Sequence, residues 1–350
     1  MDTAAEILDE AYDRLHSTGP EWGGNLANHG PMAAEALARR GRADVIPGWI
    51  DAYVARLDEM PAPSDPVTDD NWREALGDRV ADWTVYLTGQ VSEQPWRDVL
   101  ATWWPRLLPG IAAGATHGVI RTGHAVRTLL AGDESPVARA ELAHALAYWA
   151  ARSRTVPGVA DPAGALAPGP ALDAVPHLAE QEGPIRLRIG RLPGLDGWTQ
   201  SVTALRPARE PDEVPGRLAE IITAATLRYL RYGHGSPVLL VHTATAPNAV
   251  LHALPALPRE LWVPSLTAAW AASAAITAMY APASPQPEAG LPAAPQAADP
   301  VTEVIDRACA HGDEHVIKFT DTAAWVYQQT ANPAALAAAV QSTRLLDPAN

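Results

Sequence analysis

The stretch 313-DEHVIKFTDTAAWVYQQT-330 reads as a capped helix. Asp313 is a short acceptor ahead of the first turn, which is the usual residue type at that position. His315 and Lys318 are three apart, so a helix places them on one face, where both can converge on one atom. Val316, Ile317 and Phe319 are apolar on both flanks, which leaves only a narrow polar stripe before Asp321. The alternative is a plain solvated face on which the two residues merely meet water.

The same helical spacing extends along the chain. Residues 2–16 form a helix opened by Asp2, with Ile7, Leu8, Tyr12 and Leu15 on its apolar side. Pro31 sits in the first turn of the next helix, and Pro95 precedes another. Helices are expected over 47–57, 72–86, 111–131, 135–152, 214–232, 237–254, 261–280, 300–310 with Asp299 as cap, and 333–345. The segment 156–173, rich in Pro, Gly and Ala, reads as a long loop, and 281–299 as a mobile surface loop. The best strand candidates, IRLRIG and WTQSVTAL, predict at most a short β-hairpin near 184–206. The expectation is an all-α fold with long Pro/Gly-rich loops, one helical domain over 1–350 and no internal repeat.

Composition narrows the function classes. A net charge of −14 argues against a nucleic-acid or anionic-membrane surface, since both need basic patches. A small neutral or aromatic ligand fits better. The N-terminus, MDTAAEILDEAYDRL, is acidic and amphipathic rather than a basic-then-apolar leader, and the Ala-rich 261–281 segment is bounded by prolines, so a cytoplasmic protein without a membrane span is expected. Cys309 is the only cysteine and reads as packing in an apolar helix. Lys318 is the only lysine among the 26 basic Lys and Arg residues. In a chain that otherwise uses arginine, a lone lysine points to chemistry that an always-protonated guanidinium cannot do, such as forming a carbamate. Drift of composition is the competing explanation.

The chain has 11 histidines. His16, His144, His177, His234, His252 and His311 read as structural or solvated. Five others stand apart. His29 lies at a loop-to-helix transition, His117 and His124 in THGVIRTGHAVR, His242 after the apolar VLLV, and His315 in HVIK. His117 is expected in mid-helix, among the small residues Ala113, Gly114, Ala115 and Gly118. Singly, each reads as a hydrogen-bonded core histidine. Together, several interior imidazoles on separate helices are most simply explained by a metal.

At these segments the chain resembles the questin oxidase family, over roughly residues 25–325. The landmarks are Asn28-His29 before an apolar helix, the Gly-x-x-His-x-x-Ile pattern from Gly114 to Ile120, the run into His242-x-x-Thr245, and His315-x-x-Lys318. The resemblance implies a mononuclear non-haem iron, Fe(2+), held by His29, His117, His242, His315 and a carboxylated Lys318. It implies an oxygenase acting with O2 on a polycyclic aromatic or quinone, anthraquinone-like secondary metabolite, by Baeyer-Villiger-like insertion or oxidative ring cleavage. Fungal members tend to carry a second histidine where this chain has Arg121, and an aromatic where it has His124. Arg121 and His124 are therefore the candidate catalytic residues, Arg121 for a phenolate or reduced-oxygen intermediate and His124 for acid-base work. Trp22, Trp103, Trp104, Trp262 and Trp270 are candidate stacking walls. No nucleotide fingerprint is present, so NADPH would act from solution or a separate reductase would serve as partner. Two rivals remain open: a zinc-dependent hydrolase, and a non-catalytic helical ligand-binding protein.

Overall fold

Side-chain caps start several of the helices. In the computed structural model, which describes residues 3–24 and 26–349, Thr3 and Glu6 form a reciprocal capping box at the start of α1 (Ala4–His16). The expected opening residue, Asp2, lies outside the described residues, as do Met1, Asn25 and Asn350. Asp299 accepts from the amides of Val301 and Thr302, and Asp313 from those of His315 and Val316, as their sequence positions suggest. The fold is all-α: the described residues contain one two-stranded sheet, and the rest of the regular structure is helical.

Contacts divide the chain into two compact units. The first comprises residues 1–155 and 252–261. It contains α1, α2 (Gly30–Arg39), α3 (Ile46–Val54), α4 (Trp72–Ala75), α5 (Val80–Glu93), α6 (Trp96–Leu107), α7 (His117–Leu130) and α8 (Pro136–Ala151). Helix α8 packs against α5 and α7, while α2 packs against α1 and α7. Close approach depends on glycine: a Cβ on Gly118 would lie 2.8 Å from the Trp149 backbone, and one on Gly30 would lie 2.5 Å from Leu15. Trp72, Trp83 and Trp103 pack edge to face, as do Trp104 and Trp149.

The second unit comprises residues 156–251 and 262–350. It holds α9 (Pro168–Asp173), α10 (Ile185–Arg191), α11 (Trp198–Thr203), α12 (Val214–Tyr232), α13 (Pro237–Leu240), most of α14 (His242–Ala253), α15 (Trp262–Tyr280), α16 (Pro300–His311), α17 (Glu314–Thr330) and α18 (Pro333–Leu345). Helices α12, α16 and α17 all pack on α18, with Val304, Ala323, Leu336 and Ala339 at the centre of one apolar cluster. The 22-residue helical stretch Arg259–Tyr280 is long and apolar enough to cross a membrane, yet 67% of its apolar window is buried within the protein, as in a core helix.

Three expectations are corrected. The strands proposed near 184–206 are helices α10 and α11. In WTQSVT the buried residues are Trp198, Ser201 and Val202, a helical i, i+3, i+4 set. In IRLRIG the alternation misleads, because Ile185 and Ile189 are also i, i+4 neighbours, and Leu187 is 52% exposed. The one hairpin lies instead at 21–27, where Glu21 pairs with Ala27 and Trp22 with Leu26 across a turn containing Gly23 and Gly24 at φ 55° and 82°. The third correction concerns the helix expected over 111–131, which begins only at His117.

Candidate functional site

His117 owes its position to an unusual backbone. Gly114, Ala115 and Thr116 have φ of 51°, 58° and 74°, three successive left-handed residues immediately before α7. Glycine adopts this region freely, but for alanine and the β-branched threonine it is strained. The turn is locked from outside. A Cβ on Gly114 would lie 2.5 Å from Tyr148 Oη, and the Ala112 amide donates to the Arg154 carbonyl at 3.2 Å. The result is that His117 Nδ1 bonds the Gly114 carbonyl. A carbonyl only accepts, so Nδ1 carries the proton and a neutral His117 presents a bare Nε2 lone pair.

That lone pair faces another imidazole. His29 Nε2 is 2.7 Å from His117 Nε2, with ring centroids 4.3 Å apart, and both residues are buried. His29 is fixed at the start of α2 by its own amide, which donates to Tyr53 Oη at 2.7 Å. The preceding Asn28 accepts from the Gly30 amide through Oδ1 at 2.9 Å. Two nitrogens bound cis on one six-coordinate metal, at about 2.1 Å each, would sit about 3 Å apart. The pair is a buried histidine cluster that can hold a metal ion.

In the second unit, His242, His315 and Lys318 lie on two helices that are tied together: Asn248 Nδ2 on α14 donates to Thr322 Oγ1 on α17 at 3.2 Å. His242, the first residue of α14, is fully buried, and its ring centroid is 5.8 Å from that of His315. Pro247 in α14 has no amide to give the Thr243 carbonyl, and Ser273 Oγ from α15 donates to that oxygen instead, at 2.8 Å. The turn carrying His242 is thereby kept helical. His315 and Lys318 are both buried, on one face of α17 as their spacing predicts. Asp313, Glu314 and His315 also offer ligand atoms within 4.8 Å of one another. Asp313 Oδ1 already accepts from two amides, at 2.9 and 3.0 Å.

Lys318 is the most telling residue. It is 2% exposed, and among the described residues its Nζ has no hydrogen-bond partner. Burial lowers its pKa to about 8, against the opposing pull of Glu314 and Asp313. About a tenth of the amine is then neutral at pH 7, far more than for an ordinary lysine.

Arg121 and His124 lie further along α7, and the structure gives each a glutamate. Arg121 Nε and Nη2 donate to Glu141 at 2.6 and 2.7 Å, and His16 Nε2 lies 2.7 Å from the same carboxylate. His124 Nδ1 lies 2.7 Å from Glu35, which Arg127 also engages through both Nε and Nη2. Burial alone would raise the pKa of either glutamate. The opposing charges win, Arg127 and His124 holding Glu35 at about 2 and Arg121 and His16 holding Glu141 at about 2. Sequence reasoning missed both glutamates. It also treated His16 and His144 as ordinary, and they stack at 4.1 Å beside Glu141, where burial first and then His16 lower the His144 pKa to about 3. Of the proposed stacking walls, Trp103, Trp104 and Trp270 are at most 1% exposed and belong to the core, Trp270 donating to the Val202 carbonyl at 2.7 Å.

In comparison with known proteins, no family model matches the chain and no curated protein matches it.

Proposed function

We propose that the chain is a mononuclear non-haem iron oxygenase acting on a polycyclic aromatic or quinone metabolite. In this reading His29, His117, His242, His315 and a carboxylated Lys318 hold the metal. The observation that carries it is Lys318, the only lysine, buried one turn from a buried histidine with no hydrogen-bond partner among the described residues. A protonated amine in that position is costly, and a neutral one is a wasted donor. Its carbamate resolves both problems. The amine nitrogen bonds the carbon of CO2, one proton leaves, and an anionic oxygen donor remains. The residues fit a metal in a second respect, since the Gly114 carbonyl fixes His117 as a lone-pair donor.

Bound iron would supply the dioxygen chemistry that these side chains lack, with an external reductant, NADPH or a separate reductase, providing electrons. The chain's own residues orient and exclude. Arg121 and His124 are assigned positioning roles, because Glu141 and Glu35 already engage them. A zinc hydrolase is the second reading, favoured by the Asp313, Glu314 and His315 group.

Metal analysis of protein purified without chelators separates the readings: iron near one per chain is expected, and zinc would favour the hydrolase. Replacing His29, His117, His242 or His315 with Ala should lower iron content, while His234→Ala should not. Lys318→Arg should lose iron, since guanidinium forms no carbamate, and Lys318→Ala should regain part of it with formate or acetate. Full iron loading in Lys318→Arg would sink the proposal.

A further inference from the structure

The second unit carries an open cleft of about 990 Å³ that includes none of the candidate ligands. That volume lies at the upper end for small-molecule sites. Its walls combine small apolar residues with a concentration of arginine that is unexpected in a chain of net charge −14. Arg206, Arg228 and Arg231 face the cleft, against the carboxylates of Asp173 and Glu220. Arg228 pairs with Asp173, and Arg206 lies 3.8 Å from Glu220. Among the described residues no carboxylate lies within ion-pair distance of Arg231, so the wall has one cation in surplus. His177 adds no further charge, because burial and then the Arg228 cation lower its pKa.

The aromatic part of the cleft is equally specific. The Arg228 guanidinium lies 3.9 Å from the centroid of the Tyr232 ring. With one arm held by Asp173, this stack offers a flat, prepaid surface that suits a planar ring rather than a flexible chain. Arg231 stands one residue before Tyr232 and presents its unmatched fork to the same cleft.

We infer that this cleft is a binding site for a planar aromatic molecule bearing one carboxylate, the ring lying against the Arg228–Tyr232 stack and the carboxylate on Arg231. A carboxylate matches the guanidinium fork through two parallel hydrogen bonds, which a point anion or a neutral amide cannot reproduce. The inference does not depend on the metal and is testable in metal-free protein.

The experiment is calorimetric titration of the full chain with 2-naphthoate, its neutral counterpart 2-naphthamide, and inorganic phosphate. Naphthoate should bind at least about tenfold more tightly than naphthamide. Arg231→Gln should remove that difference while leaving the weak naphthamide binding unchanged, and Arg231→Lys should restore only part of it. Tyr232→Leu should weaken both aromatic probes alike, which separates ring from charge. Because Arg231 is exposed, the Arg231 variants should melt as the parent does. Equal binding of naphthoate and naphthamide, or naphthoate binding unchanged in Arg231→Gln, would overturn the assignment. Displacement of naphthoate by phosphate at equal concentration would also overturn it, showing a simple anion site.

Discussion

Arg121 and Arg127 in the first unit and Lys318 in the second are all buried cations, and they are treated in opposite ways. Each arginine meets a glutamate through two nitrogens, and an imidazole shares one oxygen of each carboxylate with it. The Lys318 Nζ has no hydrogen-bond partner among the described residues. The difference teaches that burial of charge is not a general tolerance of this fold. Where a cation serves packing, a partner is supplied at the same depth. Where the partner is missing, the side chain carries a desolvation cost that its surroundings do not offset.

The largest effect should come from breaking a satisfied pair. Arg121→Ala strands the Glu141 charge and should cost about 3–5 kcal/mol in denaturant melts. A cost under about 1 kcal/mol would show that water reaches Glu141 and that the pair is not dry. Lys318→Met should move stability the other way. With a folded pKa of about 8 against an ordinary value of 10.5, the unfolded state binds more protons between those values, so stability rises with pH across that window. Below pH 8 the full penalty remains, and the metal-free variant should gain on the order of 3 kcal/mol there, with the advantage shrinking as pH climbs toward 10.5. A destabilised Lys318→Met would mean that the amine is satisfied after all.

The acid limb tests the glutamates. Glu35 and Glu141 titrate at about 2 in the folded state, below the ordinary glutamate value of 4.5, so their contribution is present above about pH 4.5 and is lost as pH falls toward 2. About 2–3 kcal/mol for each should disappear over that range in urea melts, and Glu141→Gln should flatten the dependence. The smallest expected effect is at the left-handed turn. Thr116→Gly should relieve backbone strain and stabilise by about 1 kcal/mol, offset in part by the entropy of the unfolded chain. Should the turn position the candidate ligand His117, the same variant will bind iron less well while melting higher. Higher stability with unchanged metal content would make the strain incidental.

Much of the fold was legible because helices announce themselves locally. The α16, α17 and α18 segments follow their caps, Asp299, Asp313 and the Asn332-Pro333 start, almost residue for residue. The helices at 184–206 were not legible because a two-residue and a four-residue period coincide over five positions. The candidate residues were partly legible as well. His315 and Lys318 share a face because they are three apart on a capped helix, which is a property of sequence alone.

Which residues the interior would partner, and which it would leave alone, was decided by tertiary structure. Glu35 reaches His124 and Arg127 across 89 and 92 positions, and no local pattern encodes that meeting. The left-handed turn before His117 was equally hidden, since Ala115 and Thr116 disfavour it and only the surrounding packing of Tyr148 and the bridge to Arg154 hold it. Sequence alone determined the helices, their caps and the presence of a single lysine, because those depend on neighbours along the chain. Tertiary structure alone decided that this lysine is buried with no hydrogen-bond partner among the described residues while Arg121 and Arg127 are matched, because desolvation and pairing depend on neighbours in space.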